Sequence, residues 1–420
     1  MAKTKVAIAH SDDDLGSPGD YSREQLARVR ALVQEVAEGS IGGMQNLVKR
    51  GQTVLIKINT VVPSPPDAGF TTDPRLLEAL IELIAEQNPA KIQIGERSAL
   101  GGDTLQAMEV CGIKRVAERT GAELVPFDNV PFDTVVLPDV QIFREFPVPR
   151  PVREADVYIG LPKMKVHVHT VLTCALKLQF GNLPNYAWMN QCHRDDIHQK
   201  IVNLTRAAEP DWFLVDSLYA CQGNGPFSPY PEDLIPNFNT ILGGSDPVAV
   251  DTVVEALMGW EDPGSNAPYI QLAASQGLGT NRMDEIECVG VPWGKVARRF
   301  KKPDTRLQGV FPNVNVIVGA ACVPGCTALV RMALDALYVD GTLAKLKRPL
   351  TIFTGKQFEP LVKDAQGDVI IYGDCAAPMK EFYPQAAYWG SCEEYPYCSP
   401  IYSNLADIGL VSHVHSLVEG

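Results

Sequence analysis

The sequence predicts an α/β protein, a mostly parallel sheet covered by helices, with a second, smaller α/β domain at the C-terminus. Three observations carry this. Short apolar runs alternate with helix-periodic segments through the first 300 residues, the pattern of strands joined by crossover helices. The runs are apolar enough to be strands buried on both faces. A basic, polar bridge then interrupts the pattern, which resumes on a smaller scale from about residue 312.

The elements follow in order. Lys5–Ala9 reads as a strand. Ser22 caps the next helix with Gln25 as its box partner, Leu26, Val29, Leu32 and Val36 form its apolar stripe, and Gly39 is placed at its end. Thr53–Ile58 is a compact buried strand followed by the loop Asn59–Thr72, and Asp73-Pro74 opens a helix through Gln87 with proline at its first position. Lys91–Gly95 reads as a strand, Thr104–Thr120 as a helix and Glu123–Phe127 as a strand. Met189–Ala208 is helical, Trp212–Asp216 is a strand, and Ser245-Asp246-Pro247 caps an apolar helix to Met258. The bridge GKVARRFKKPDTR (Gly294–Arg306) separates a large domain over 1–300 from a cysteine-containing domain over 312–413. In the latter, Val314–Val318, Leu350–Thr354 and Asp368–Tyr372 are strands, with a helix near Ala328–Leu337.

Composition narrows the function classes. A net charge of −13 over 420 residues, with no long basic run, argues against nucleic acid as a partner. No apolar run approaches the roughly 18–20 residues that span a membrane, and the N-terminus MAKTKVAIAHSDDD does not read as a signal peptide. The cytoplasm is the expected location. Five of the 10 cysteines, Cys322, Cys326, Cys375, Cys392 and Cys398, fall in the last quarter of the chain, where they read as reduced thiols or metal ligands.

The richest stretch is Leu161–Lys200. Lys163, Lys165 and Lys177 sit among apolar neighbours, where a lysine is costly unless paired or used. His167, His169, His193 and His198 are four of the chain's 7 histidines. The lysines suit an anionic substrate, or one of them a base whose pKa burial has lowered, and His167 and His193 suit proton transfer or metal ligation. The bland alternative is lysines snorkelling at a strand end and His198 on a solvated helix face.

Other strand ends add candidates. In the loop after Lys57, Asn59, Thr71 and Thr72 could receive an anion at the following helix start, or Thr72 and Asp73 could merely cap it. Glu96 could be a base or ligand, or half of a surface Glu–Arg pair with Arg97. Asp216 could orient a lysine or histidine, and the GNGP turn with Asn224 resembles a loop over a cleft. Asp251, inside an apolar helix, needs a partner if buried. The C-terminal cysteines lie in Gly- and Pro-rich turns after strands, so they could hold a [4Fe–4S] cluster or zinc, or be small buried hydrophobes.

These motifs together resemble the family known as domain of unknown function 362: KIN with GFTTDP, IGE, LPKMKVHVHT…ALKLQFGNLP, His193, VDS…GNGP and GGSDPVAVDTVVEALMG, over about Lys5 to Gly290. Some members of that family carry ferredoxin-like cluster domains, which implies redox chemistry for them; this chain has its own cysteine-bearing unit instead. His167, Lys177 and His193 also resemble, more distantly, the arrangement by which the nickel-pincer lactate racemase family holds or attaches its cofactor. This chain has GERS where that family has a histidine-bearing glycine loop.

The leading expectation is a metal-dependent, iron–sulfur oxidoreductase acting on a small anionic substrate in a cleft between the domains. Lys57, Asn59, Thr71, Thr72, Lys163, Lys165 and Asn224 would bind substrate. His167, Lys177, His193, Glu96 and Asp216 would be catalytic, and the five C-terminal cysteines would hold the cluster. An electron-transfer partner and a homo-oligomer belong to that expectation. The alternatives are a 2-hydroxy-acid racemase or isomerase with a metal-pincer cofactor on Lys177, and a non-enzymatic metal- or anion-binding protein.

Overall fold

The strands are β1 (Thr4–His10), β2 (Thr53–Lys57), β3 (Lys91–Glu96), β4 (Glu123–Pro126), β5 (Phe132–Val136), β6 (Glu145–Pro149), β7 (Val157–Gly160), β8 (Lys163–His167), β9 (Val171–Thr173), β10 (Trp212–Cys221), β11 (Leu234–Ile235), β12 (Thr240–Gly244) and β13 (Ile286–Gly290), then β14 (Val314–Val318), β15 (Leu350–Thr354), β16 (Asp368–Tyr372) and β17 (Ala387–Trp389). They belong to a computed structural model that describes residues 3–98, 103–140, 142–193, 196–321, 325–357, 365–391 and 410–419.

The large sheet has the order β13-β1-β12-β10-β7-β2-β3-β4, with β8 and β11 on β10 and β9 on β8. From β10 through β7, β2, β3 and β4 every pairing is parallel. β12 runs antiparallel to both β1 and β10, so the sheet is mixed but mostly parallel. A separate parallel sheet, β14-β15-β16-β17, forms the C-terminal unit.

Strand periodicity explains how helices cover both faces. In β1, Val6 and Ile8 enter one core while Ala7 and Ala9 enter the other; in β2, Leu55 opposes Val54 and Ile56 in the same way. The second core receives Leu26, Val29, Val33 and Val36 from the helix Arg23–Ile41 and Leu76, Leu80 and Ile84 from Pro74–Ala85. The first receives Ile197, Ile201 and Leu204 from Ile197–Ala207 and Val250, Val253, Val254 and Leu257 from Pro247–Leu257.

Local chemistry sets the element ends. Ser22 and Gln25 form the expected capping box, but the helix runs through Gly39 to Ile41 and stops at Gly42, whose φ is 73°. Gly39 instead allows close contact with β1, since a Cβ there would lie 2.9 Å from the Cβ of Ala7. Asp73 and Asp246 cap their helices through the backbone N–H groups of Arg75 and of Val248 and Ala249. The helix expected over Thr104–Thr120 is two, Thr104–Val110 and Ile113–Thr120, divided at Gly112 with φ 78°. That expected over Met189–Ala208 is Tyr186–His193 and Ile197–Ala207, with Asp196 between them at φ 58°. β10 continues well past Asp216 because it is the hub for β7, β8, β11 and β12.

The basic bridge is strapped to the large sheet's domain rather than loose. The Trp260 indole N–H donates to the Phe300 carbonyl, and Lys301 donates from its backbone to Gln222 and from Nζ to Asp233. The helix Gly325–Val339 then reaches back. Its buried Asp335 accepts from Asn224 at 2.7 Å, Tyr230 at 3.0 Å and Arg331 at 2.9 Å.

Candidate functional site

A half-enclosed cavity of about 100 Å³ opens beyond the carboxyl ends of β2, β3 and β8. Ligand sites of open α/β sheets lie at such strand ends. Its polar wall is Asn59, Thr60, Glu96, Arg97, Lys165, His167, His169, Lys177 and His193. Apolar side chains complete it, among them Phe180, Met189 and Phe227, with Leu329 and Met332 contributed by the helix of the C-terminal unit.

The sequence KMKVH explains one wall. On a strand, residues two apart share a face; Met164 and Val166 enter the core, leaving Lys163, Lys165 and His167 on the other side. β8 then turns back into β9, with Val171 opposite His167. Val171 has φ 68°, an uncommon conformation for a β-branched residue, and the turn it closes brings His169 beside His167, ring centroids 5.8 Å apart. His193 comes from the end of the helix Tyr186–His193, 6.1 Å from the His169 ring and 4.8 Å from that of Phe180.

Lys177 lies in the 3-10 stretch Leu176–Asn182, whose start is held by the carboxylate of Asp251, accepting from Ala175 N at 2.7 Å and Leu176 N at 3.1 Å. Burial pushes the Asp251 carboxyl up from 3.8 to about 7. A proton is therefore bound more tightly in the folded chain, and the stability linked to Asp251 is greatest below its ordinary pKa and lost as pH rises through about 7. Urea unfolding of the wild type and Asp251→Asn between pH 4 and 7 is expected to show the wild type losing stability relative to the variant as pH rises. A pH-independent difference would contradict this.

Charge state in the cavity follows from burial. Desolvation, reinforced by the charge of Lys177, holds His167 and His193 well below the usual imidazole range and His169 at about 4. Burial, with Lys165 adding to it, lowers Lys177 to about 7; Lys165 is lowered by burial to about 8. The hydrogen bonds assign the tautomers. The backbone N–H of His169 donates to His167 Nδ1 at 3.1 Å. A backbone N–H can only donate, so the proton of a neutral His167 ring is on Nε2. Nε2 lies 3.1 Å from Lys177 Nζ. An Nε2–H needs an acceptor there, which an amine provides and an ammonium does not. Facing this tautomer Lys177 accepts as a free base, a form that its lowered pKa of about 7 makes available near neutral pH. His193 Nδ1 contacts the Met189 carbonyl at 2.8 Å, leaving its Nε2 lone pair available; His169 Nε2 contacts the Gly325 carbonyl at 3.1 Å, leaving Nδ1.

The other sequence candidates fall into three places. Glu96 reaches the cavity but is fully engaged. Its Oε1 accepts from buried Lys57 Nζ at 2.7 Å and Arg97 N at 2.8 Å, and its Oε2 from Thr60 N at 3.0 Å. Gly181 is required beside this pair, because a Cβ there would lie 2.0 Å from Glu96 Oε1. Lys165 donates to Asn59 Oδ1 and the Phe70 carbonyl, both at 2.7 Å. Lys57, Thr71, Thr72, Lys163 and Asp216 are buried behind the wall rather than lining it. Lys163 and Asp216 pair at 3.1 Å, and Asp216 also accepts from Asp73 N, joining them to the buried Asp73–Arg75 pair. Asn224 belongs to the junction with Asp335. Of the cysteines, Cys322, Cys392 and Cys398 lie outside the described residues, Cys326 is half-buried and Cys375 exposed. Among the described residues no three His, Cys, Asp or Glu side chains gather as a metal-binding group.

Three cavity residues carry no local signal that marks them as site residues. His169 stands out only as part of the cluster, although the HVH repeat places it near His167. Arg97 has the sequence context of a surface turn and Thr60 that of a loop. Both are buried, at 4% and 1% exposure.

This layout can be set beside known proteins. Residues 54–255, which include the carboxyl ends of β2, β3 and β8 and the whole His–Lys wall, match the family model described as domain of unknown function (DUF362). This part of the chain is thus similar to that family. The matched region ends before the C-terminal unit whose helix closes the cavity. A thylakoid-associated protein of Synechocystis sp. is 28% identical over 338 residues, covering 79% of this chain and 94% of that protein. Among solved structures, the lactate racemase apoprotein from Thermoanaerobacterium thermosaccharolyticum is similar with a TM-score of 0.36 at 15% identity over 52% of each chain, so this chain spans about half its length. A Thermotoga maritima protein is similar with a TM-score of 0.35 at 11% identity, over 89% of this chain and 92% of that one. Among the described residues, no helix is long and apolar enough to cross a membrane.

Proposed function

We propose that this chain is an acid–base enzyme of the racemase or isomerase type, acting on a small anionic 2-hydroxy acid. One observation carries the reading: the Lys177 amine, lowered to about 7 by burial, lies 3.1 Å from His167 Nε2 inside a cavity that also faces His169 and His193. Such an amine can take a proton from substrate near neutral pH, or carry a group covalently. The lone pairs of His193 Nε2 and His169 Nδ1 supply further proton acceptors, and the apolar side chains around them keep bulk water away.

The racemase likeness of the His167, Lys177 and His193 spacing raises a metal-pincer cofactor, and the donor set fits one. Lys177 is the uncharged amine that attachment needs, and His193 Nε2 is the free lone pair that would ligate its metal. When bound, that group would supply an electron-accepting centre. The iron–sulfur oxidoreductase has no comparable support, since three of its five cysteines lie outside the described residues and no metal-binding group of three His, Cys, Asp or Glu is found among the described ones. Zinc stands in the same position.

The test is solvent-deuterium uptake at C2 of a panel of small 2-hydroxy acids, with intact-mass measurement of the chain as purified. Deuterium incorporation with inversion, lost in Lys177→Arg, is the expected result, and a mass adduct on Lys177 would identify a covalently held group. Tight binding without exchange, in protein whose metal and cofactor content has been restored, would favour a non-enzymatic binding protein.

A further inference from the structure

The cavity contains a buried cation with unused hydrogen-bond donors. Arg97 is 4% exposed and lines the cavity, yet its Nε and Nη1 make no hydrogen bond among the described residues. Its neighbours hold it without satisfying it. The guanidinium lies over the Tyr186 ring, 4.5 Å from its centroid, and Nε is 3.4 Å from Asp128 Oδ1. Thr60, 1% exposed on the same wall, has an Oγ1 that is likewise buried and unbonded among the described residues. Leaving such donors unmatched costs stability, and native chains rarely do so without a reason.

Both residues are fixed by Glu96, which accepts the backbone N–H of Arg97 at 2.8 Å and that of Thr60 at 3.0 Å. Glu96 is itself neutralised by Lys57, so the guanidinium's counter-ion is Asp128, whose oxygen faces Nε at 3.4 Å and leaves Nη1 unbonded among the described residues. Lys165 has less to offer, because Asn59 and the Phe70 carbonyl already take two of its three N–H donors.

We infer that Arg97 and Thr60 form the subsite for the carboxylate of the substrate, setting its specificity for short acids. A planar oxyanion satisfies a guanidinium through charge-assisted hydrogen bonds, and the Thr60 hydroxyl can donate to the same group. Size agrees: a dry protein cavity of about 150 Å³ takes a benzene ring, so about 100 Å³ restricts the ligand to a few carbons. The catalytic use of this subsite rests on the proposed acid–base function; the binding itself does not.

The test titrates the full-length chain with glycolate and, separately, with inorganic phosphate, following heat of binding. Glycolate is expected to bind, with affinity falling roughly ten- to a hundredfold in Arg97→Gln, less in Arg97→Lys, and by a smaller factor in Thr60→Val. Thr60→Val and Arg97→Lys also serve as folded controls, checked by circular dichroism. Unchanged glycolate affinity in folded Arg97→Lys and Arg97→Gln overturns the inference. So does phosphate binding tighter than glycolate with the same Arg97 dependence, which would make this a phosphate site. Arg97-dependent glycolate binding without deuterium exchange would leave the subsite standing and remove the acid–base reading. Exchange with an unaltered KM in Arg97→Gln would do the reverse.

Discussion

Lys177→Met is expected to lower solvent-deuterium exchange by about 10²–10⁴-fold, the contribution of a positioned acid–base group, while the chain stays folded. Methionine fills the space of the lysine stem and removes only the amine. Lys177→Arg should be equally inactive, because guanidinium stays charged at any working pH. In the wild type the rate should rise with pH through a midpoint of about 7, since burial holds the Lys177 amine there and only the deprotonated form accepts a proton. A rate that falls across this range, or a Lys177→Met variant within threefold of wild type, would remove Lys177 from the chemistry.

The largest stability effect is expected at Lys57 and Glu96. Both are almost fully buried, at 0% and 2% side-chain exposure, and lie 2.7 Å apart. Desolvation dominates at each, lowering the lysine and raising the carboxyl, so their mutual contact keeps the pair in place. Glu96→Leu alone strands a buried ammonium and releases the N–H groups of Thr60 and Arg97; the expected loss is about 3–5 kcal/mol. Lys57→Met with Glu96→Leu should recover much of that loss, because a well-packed apolar pair has no charge to desolvate. Urea denaturation of the two single variants and the double variant forms the cycle. Additive losses would show that the pair is not coupled. A double variant that regains stability but not glycolate binding would show that Glu96 serves mainly to position Thr60 and Arg97.

Much of this arrangement was legible in the chain. Period-two alternation in KMKVH and the proline-led helix starts at Asp73 and Asp246 follow local rules, so their placement could be read directly. The sequence also brought out His167, Lys177 and His193, which the fold gathers on one cavity. What could not be read was long-range. The partner of Glu96 lies 39 residues away, and nothing local distinguishes a surface Glu–Arg turn from a buried one. Lys163 and Asp216 drew attention for the same reason as Lys165, yet one strand register places them behind the wall, in a buried ion network. Helix breaks at Gly112 and Asp196 were hidden because apolar periodicity continues across them.

The central claim is that Lys177 loses its proton near neutral pH, because burial and the charge of Lys165 disfavour its ammonium form beside His167. An NMR titration of the chain with ¹³C-labelled lysine Cε, the signal assigned by its loss in Lys177→Arg, tests it directly. The account predicts that the Lys177 signal titrates at about 7, well below the ordinary 10.5. A signal titrating near that ordinary value would contradict it.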